Sequence, residues 1–525
     1  MVIINENIVL DFYLELIKNN KIDFLKDSGR KKDVEVIIKE LKNKKDLHEK
    51  IQLAKSLWMI LFEGAMLKID NNTIGLDELF KYLNDFIDFE ELLFATDSFY
   101  RDHTLHSLWT YFLMEYLSKN NEFYNISKNI LYDLQISYDI KEILKEVDDK
   151  NFFFSITNNL DKISNAVLYR DSIRCIIALT HDLGYPLKRM NKIDMKMNNI
   201  LNYFSTKDFI KTSFDFSSMQ QLFITKMLEY MSYTFEINLE GDLESLLKNN
   251  QNIDENIFEV YKKIGEIISK IINKEEITEN LKKECKYLIN NTNQDNILFI
   301  NTIFQTQMSM KKSLEKYMRY TIDLEKNQHG IISAYLLMRI LNSFSNINLN
   351  ISDSPDIPLG EEFTKMLCKI QILCAIADHT GTGYKIKSLN SFSDLLIIVD
   401  EIEEFSRISR ANKYRQYVTE FCDLELSFEN EYLCIDFIFS NKDIEELKPK
   451  KAFIDKCRRF LAVFDTKELS NNIKIRFRCL DRLNDKEIEY KLLISTNCFK
   501  IYEDGEEKIV TSYLNTREDP LIIDI

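Results

Sequence analysis

Apolar residues recur at three- and four-residue spacing through most of the first 410 positions. The stretch "LHSLWTYFLMEYL" shows it: Leu105, Leu108, Trp109, Phe112, Leu113, Tyr116 and Leu117 share one face of a helix. From about residue 415 the period changes to two. "YLCIDFIFS", "IKIRFRCL" and "EIEYKLLIS" alternate as half-buried strands, and "CFKIYEDGEEKIV" reads as a hairpin turning at Asp504-Gly505. One amphipathic helix, carrying Phe453, Ile454, Cys457, Leu461 and Phe464, lies among them. The pattern predicts a mainly α-helical protein with a small C-terminal α+β domain over residues 415–525. An N-terminal helical segment, 1–95, precedes a main helical domain, 96–410. The Asn- and Lys-rich stretch from about 190 to 325 reads as a helical insertion within that domain, and no internal repeat is visible.

Composition agrees and narrows the setting. At 525 residues the chain is long enough for two or three domains of ~100–200 residues each. Eleven Gly and five Pro are few for this length, which favours long helices over tight turns. A net charge of −15 repels polyanions, so a long nucleic acid is not expected as a partner, while a small phosphorylated ligand in a locally positive pocket is compatible. Nothing reaches ~18 uninterrupted apolar residues, and the N-terminus lacks the pattern of a secretory leader. The nine cysteines are scattered, with no C-x-x-C. A cytoplasmic protein without a membrane partner, disulfide framework or zinc ribbon is expected.

The histidines carry the candidate chemistry. Of six in the chain, His48 lies in the charged "KKDLHEK" and reads as a solvated helix residue. The others fall at or within apolar helical patterns: His103 and His106 in "YRDHTLHSLW", His181 in "THDLGYP", His329 in "KNQHGIISAYLL" and His379 in "AIADHTGTGY". Asp400, four residues after Leu396 in "SDLLIIVDEIEEF", falls on the core-facing side of its helix. A buried carboxylate needs compensation, because burying a bare charge costs several kcal/mol or more. No Lys or Arg lies within a helical turn on that side, and imidazoles with carboxylates are what a divalent transition metal binds. Adjacent residues on a helix point about 100° apart. His181 and Asp182 therefore reach one ion only if it sits in a cleft beyond the helix end, where Gly184 and Pro186 stop the helix.

The order His106, His181-Asp182, Asp400 resembles the H…HD…D pattern of the HD-domain superfamily of metal-dependent phosphohydrolases. "HSLW" is similar to its first-helix motif and "ALTHDLGYP" to its second; the resemblance covers roughly residues 95–190 and 325–410. It implies an HD-domain-like helical bundle in which a divalent ion activates the water that attacks phosphorus. His106, His181, Asp182 and Asp400 would hold the first ion. His329 and His379 resemble the additional histidines of the two-metal branch, with Asp182 bridging, so that Asp182, His329 and His379 also become catalytic candidates. One or two ions of Mn, Fe, Mg or Zn are implied. Tyr185 departs from the histidine usual at that place in deoxynucleoside triphosphohydrolases.

Phosphoryl transfer to water needs hydroxide near neutral pH, and a divalent ion lowers the pKa of water from ~15.7 toward ~7 while screening phosphate charge. Lys188 and Arg189, just past the HD pair, are the nearest cations by sequence and the candidates for gripping phosphate. His103 reads as a capping or supporting group beside the ligands, and Arg407 and Arg410 as charges complementing the dipole of the Asp400 helix. The function expected is a nucleotide phosphohydrolase, either a deoxynucleoside triphosphohydrolase or a phosphodiesterase for a cyclic or short-oligonucleotide messenger. The alternatives are a di-iron oxygenase on the same scaffold and a catalytically inactive nucleotide sensor. Expected partners are a small nucleotide substrate, a regulatory nucleotide at the C-terminal domain and further copies of the chain in a homo-oligomer. No G-x-x-x-x-G-K-[ST] loop marks a regulatory site, and no residue bears on a role in antiviral defence.

Overall fold

The computed structural model describes residues 2–26, 28–94, 99–120, 165–190, 216–240, 255–272, 277–291, 305–345, 361–404, 407–409, 422–442, 447–470 and 473–515, with a few short pieces between them. Among these residues the chain is mainly helical up to Ile402 and carries a small sheet region toward the C-terminus.

The Arg170–Thr180 helix lies at the centre of the helical part. The helices Leu47–Ile69, His103–Lys119, Glu361–Asp378 and Phe392–Ile402 all pack on it. Surrounded in this way, it is buried from Asp171 to Thr180, its charged Asp171 and Arg174 included. Its one buried cation is fully paired: the Arg174 guanidinium donates to Glu115 at 2.6 and 3.1 Å and to Asp171 at 2.6 Å. That pairing is what makes a buried charge tolerable. The N-terminal helices close the same bundle, with the Trp58 indole N–H donating to the Leu179 carbonyl at 2.8 Å.

The C-terminal region is a seven-stranded sheet in the order β1-β6-β7-β8-β9-β10-β11. Its strands are β6 (Asp423–Glu429), β7 (Tyr432–Phe439), β8 (Ile475–Asp481), β9 (Ile488–Ser495), β10 (Cys498–Glu503) and β11 (Glu506–Lys508), joined at one edge by β1 (Val2–Ile4). All pairs are antiparallel except β7 with β8. Parallel neighbours need a crossover, and the Pro449–Val463 helix supplies it. The alternating strands and the Pro449–Val463 helix fall where the sequence period placed them, with the β10–β11 hairpin turning at Asp504 and Gly505, both at positive φ, and a further short helix follows at Val510–Leu514.

Three features differ from the sequence reading. The 190–325 stretch is not helical throughout: β3 (Tyr233–Glu240) pairs antiparallel with β4 (Gln305–Lys312) in a long ribbon. "YTFEINLE" does alternate apolar and polar residues, a signal that the Asn- and Lys-rich surroundings masked. The first strand of the large sheet comes from the N-terminus, too short a segment to show a period. Arg407 lies in the short strand β5 (Arg407–Ser409), paired with β2 (Phe99–Arg101), and so outside the last turn of a helix that ends at Ile402. Arg410 lies outside the described residues. Among the described residues, no helix is long and apolar enough to cross a membrane.

Candidate metal centre

Five helix ends meet over one point. Asp102 caps the His103–Lys119 helix, accepting from the Leu105 N–H at 2.8 Å, and places His103 and His106 in the first turn. The Arg170–Thr180 helix stops one residue before His181, and Asp182 follows in the turn, as the adjacent pair requires to face one cleft. His329 opens the His329–Ile340 helix, and His379 directly follows the Glu361–Asp378 helix. Asp400 lies in the last turn of the Phe392–Ile402 helix. His103, His106, His181, Asp182, His329 and His379 are buried, whereas Asp400 is partly exposed.

Glycines let these ends approach. A Cβ on Gly184 would lie 2.4 Å from the His329 carbonyl oxygen, and one on Gly330 would lie 2.5 Å from the Ile376 carbonyl oxygen and 2.9 Å from His379 Nδ1. The Gly184 N–H donates to Ser333 Oγ at 2.7 Å, and that hydroxyl lies 2.6 Å from the His181 carbonyl. The HD turn and the His329 helix are thereby held together.

Two overlapping donor groups result: His106, His181 and Asp400, and His181, Asp182 and His379, the donor atoms of each within 4.8 Å of one another. His106 Nε2 lies 2.9 Å from Asp400 Oδ1 and 3.2 Å from His181 Nε2. Asp182 Oδ2 is 3.3 Å from His181 Nε2 and 3.7 Å from His106 Nε2. Its other oxygen faces His329 Nε2 at 3.0 Å and His379 Nε2 at 3.5 Å.

The ring tautomers suit a cation. Carbonyl oxygens only accept, so His181 Nδ1, 2.8 Å from the Ala178 carbonyl, and His379 Nδ1, 2.6 Å from the Ile376 carbonyl, carry the proton. The buried Glu403 carboxylate accepts from His106 Nδ1 in the same way. Once its Nε2 is deprotonated, each ring presents a lone pair there to the cleft, and those of His106 and His181 then stand 3.2 Å apart. Such a pair repels unless a proton or a metal lies between. Donors at ~2.1 Å from one ion are separated by ~3.0 Å along an octahedral edge and ~3.4 Å along a tetrahedral one. The His106–Asp400, His106–His181 and His181–Asp182 separations lie at these edge lengths, those of Asp182 to His106 and His379 are up to a few tenths of an ångström wider, and these buried His and Asp clusters could hold a metal ion.

Electrostatics polarise the set. Burial works to lower the His181 pKa, but the Asp182 and Asp400 carboxylates outweigh it and raise the ring to about 9. Burial likewise works to raise Asp182, yet His181, His329 and His379 hold it well below the usual carboxylate range. His329 goes the other way: burial lowers it to about 4, against the pull of Asp182.

His329 lies beside the donor groups and belongs to neither. Lys188 Nζ is 3.4 Å from its Nδ1, and His379 Nε2 is 3.3 Å from its Nε2. Desolvation and the Arg459 and Arg189 guanidiniums lower the Lys188 pKa, with Asp182 opposing them. The Arg189 guanidinium stacks 4.6 Å from the centre of the Tyr185 ring, which in turn lies 4.0 Å from the His103 ring. His103 Nδ1 is held by the buried Glu90 carboxylate, and its Nε2 stands 3.8 Å from Asp182. His48 is exposed in the first turn of its helix, apart from this cluster.

Sequence reasoning missed Glu90, Glu403 and Ser333. Glu403 had a legible signal, since it follows Asp400 by three residues and so shares its helix face. Glu90 and Ser333 meet the site only through the packing of distant helices. Compared with protein-family models, curated proteins and solved structures, the chain matches none.

Proposed function

We propose that this chain is a metal-dependent phosphohydrolase of the HD type, with a nucleotide phosphoester or phosphoanhydride as substrate. The observation that carries the reading is the meeting of His106, His181, Asp182 and Asp400, distant in sequence and ordered H…HD…D, with neighbouring donor atoms 2.9 to 3.9 Å apart. His106, His181 and Asp400 would hold one ion; His181 or Asp182 with His379 would hold a second. A divalent ion bound there lowers the pKa of water and screens phosphate charge.

The remaining residues suit an anionic substrate. Lys188 and Arg189 stand at the side of the cleft lined by His329 and Tyr185, where they attract and orient a phosphate group. His329 is neutral near pH 7, with a pKa of about 4, and can hold a substrate oxygen or accept a proton. His103, fixed by Glu90, turns Nε2 toward the cleft and can carry a proton to a leaving oxygen.

The donors are nitrogen and oxygen without thiolate, a set that also suits iron, so a di-iron oxygenase is the second reading. One experiment separates the two. Protein loaded with Mn²⁺ or Fe²⁺ is incubated with pooled deoxynucleotides, ribonucleotides and cyclic dinucleotides, and products are identified by mass while dissolved oxygen is followed. Intact triphosphate release indicates a triphosphohydrolase, linear nucleotides a phosphodiesterase, and oxygen consumption with an oxidised product the second reading. No product from any pool would refute the nucleotide assignment.

A further inference from the structure

The segment Asp400-Glu401-Ile402-Glu403-Glu404 faces two ways. Asp400 and Glu403, three residues apart, turn to His106. Glu401 and Glu404, also three apart, turn to the Pro449–Val463 helix of the C-terminal sheet region. There Arg459 Nε donates to Glu401 at 2.8 Å, and Lys456 lies 3.0 Å from Glu401 and 3.5 Å from Glu404. The second arm of Arg459 donates to the carbonyl of His379. One guanidinium thus ties together the two chain segments that deliver His379 and Asp400. The same helix is fastened next to them, through Ile386 N–H to the Val463 carbonyl at 2.6 Å and Asp465 N–H to the Ile386 carbonyl at 3.1 Å.

We propose that Arg459 is a positioning residue of the metal centre, and that through it the docking of the C-terminal region sets the affinity for metal on the His379 and Asp400 side. Arg459 acts at a distance, by holding a ligand's backbone and the neighbour of another ligand. Partners of this kind typically change metal affinity ~10–100-fold when removed. Coupling of this sort is reciprocal, so metal must also steady the Pro449–Val463 helix. The inference rests on the metal-centre reading but not on the identity of the substrate, and its test reads metal rather than turnover.

The test titrates Mn²⁺ into metal-free full-length protein by calorimetry. Arg459→Ala is expected to weaken binding ten-fold or more with helix content unchanged. Arg459→Lys, which keeps the charge beside Glu401 but cannot also reach the His379 carbonyl in the same fork, should recover part of the loss. Lys450→Ala is the control, since Lys450 projects from the same helix to Glu503, 2.8 Å away on another strand, and should bind as the wild type does. Hydrogen exchange adds the reverse reading: metal should slow exchange across residues 449–463 in the wild type and not in Arg459→Ala. Should Arg459→Ala not fold, Glu401→Gln breaks the same ion pair from the other side and should weaken binding about three-fold or more. Wild-type affinity in Arg459→Ala or in Glu401→Gln, an equal loss in Lys450→Ala, or no metal-dependent protection of 449–463 would each overturn the proposal. Absence of metal binding by the wild type would instead remove the metal centre itself.

Discussion

Asp182→Ala gives the sharpest test of the centre, because the carboxylate is a donor of one group, lies 3.7 Å from His106 of the other, and also sets the charge around His181. Without metal, Asp182 and Asp400 hold His181 at about 9. A histidine raised there from ~6.5 favours the folded, protonated form by at most about 3 kcal/mol. The sign follows from linkage: this contribution is full below pH ~6.5 and is lost as pH rises through about 9. Metal-free Asp182→Ala should therefore be less stable than the wild type by up to ~3 kcal/mol at pH 6, with the deficit shrinking toward pH 10. That is smaller than the ~5–15 kcal/mol typical of a folded domain, so helix content should survive. Metal binding should suffer far more. Removing a partner outside the ligand set costs ~10–100-fold, and removing a carboxylate of the donor set itself should exceed that range and abolish the proposed hydrolysis. Urea melts of metal-free protein at pH 6, 8 and 10, with Mn²⁺ titration calorimetry, measure both effects. Wild-type metal affinity in Asp182→Ala, or a stability deficit that grows from pH 6 to pH 10, would refute the reasoning.

Other expectations follow from the same geometry. Gly184→Ala drives a Cβ to 2.4 Å from the His329 carbonyl, so it should destabilise by about 1–3 kcal/mol and weaken metal uptake; a wild-type melting temperature would contradict the packing described. Glu403→Ala removes the acceptor that fixes His106 Nδ1, and metal affinity should fall roughly 10–100-fold with the ion count per chain checked by elemental analysis. Because His181 must release its proton to bind an ion, metal affinity should rise with pH up to about 9 and binding should release protons, which calorimetry in buffers of different ionisation enthalpy will register.

Much of this protein was legible in its residue pattern. Period 3.6 marked the helices that bury "LHSLW" and "IIALT", and period two marked the strands from "YLCIDFIFS" onward, because each element must turn one consistent set of side chains inward. The candidate centre was also legible in part, since histidines and a carboxylate on apolar faces are costly unless they serve one another. Tertiary structure alone decided the rest. The sequence could not show that β1 crosses from the N-terminus to complete the C-terminal sheet, because three residues carry no period. Nor could it show that His329 stands beside Lys188 outside both donor groups, or that Glu90 reaches His103, since these depend on how separate helices dock. Arg459 is the clearest case: 80 residues beyond His379 and within an amphipathic helix, it carries no local mark of its role, and only the docked sheet region turns it onto the His379 carbonyl and Glu401. Local pattern reports what each segment must bury, whereas the partner of a buried charge is chosen by whichever segment the chain folds against it.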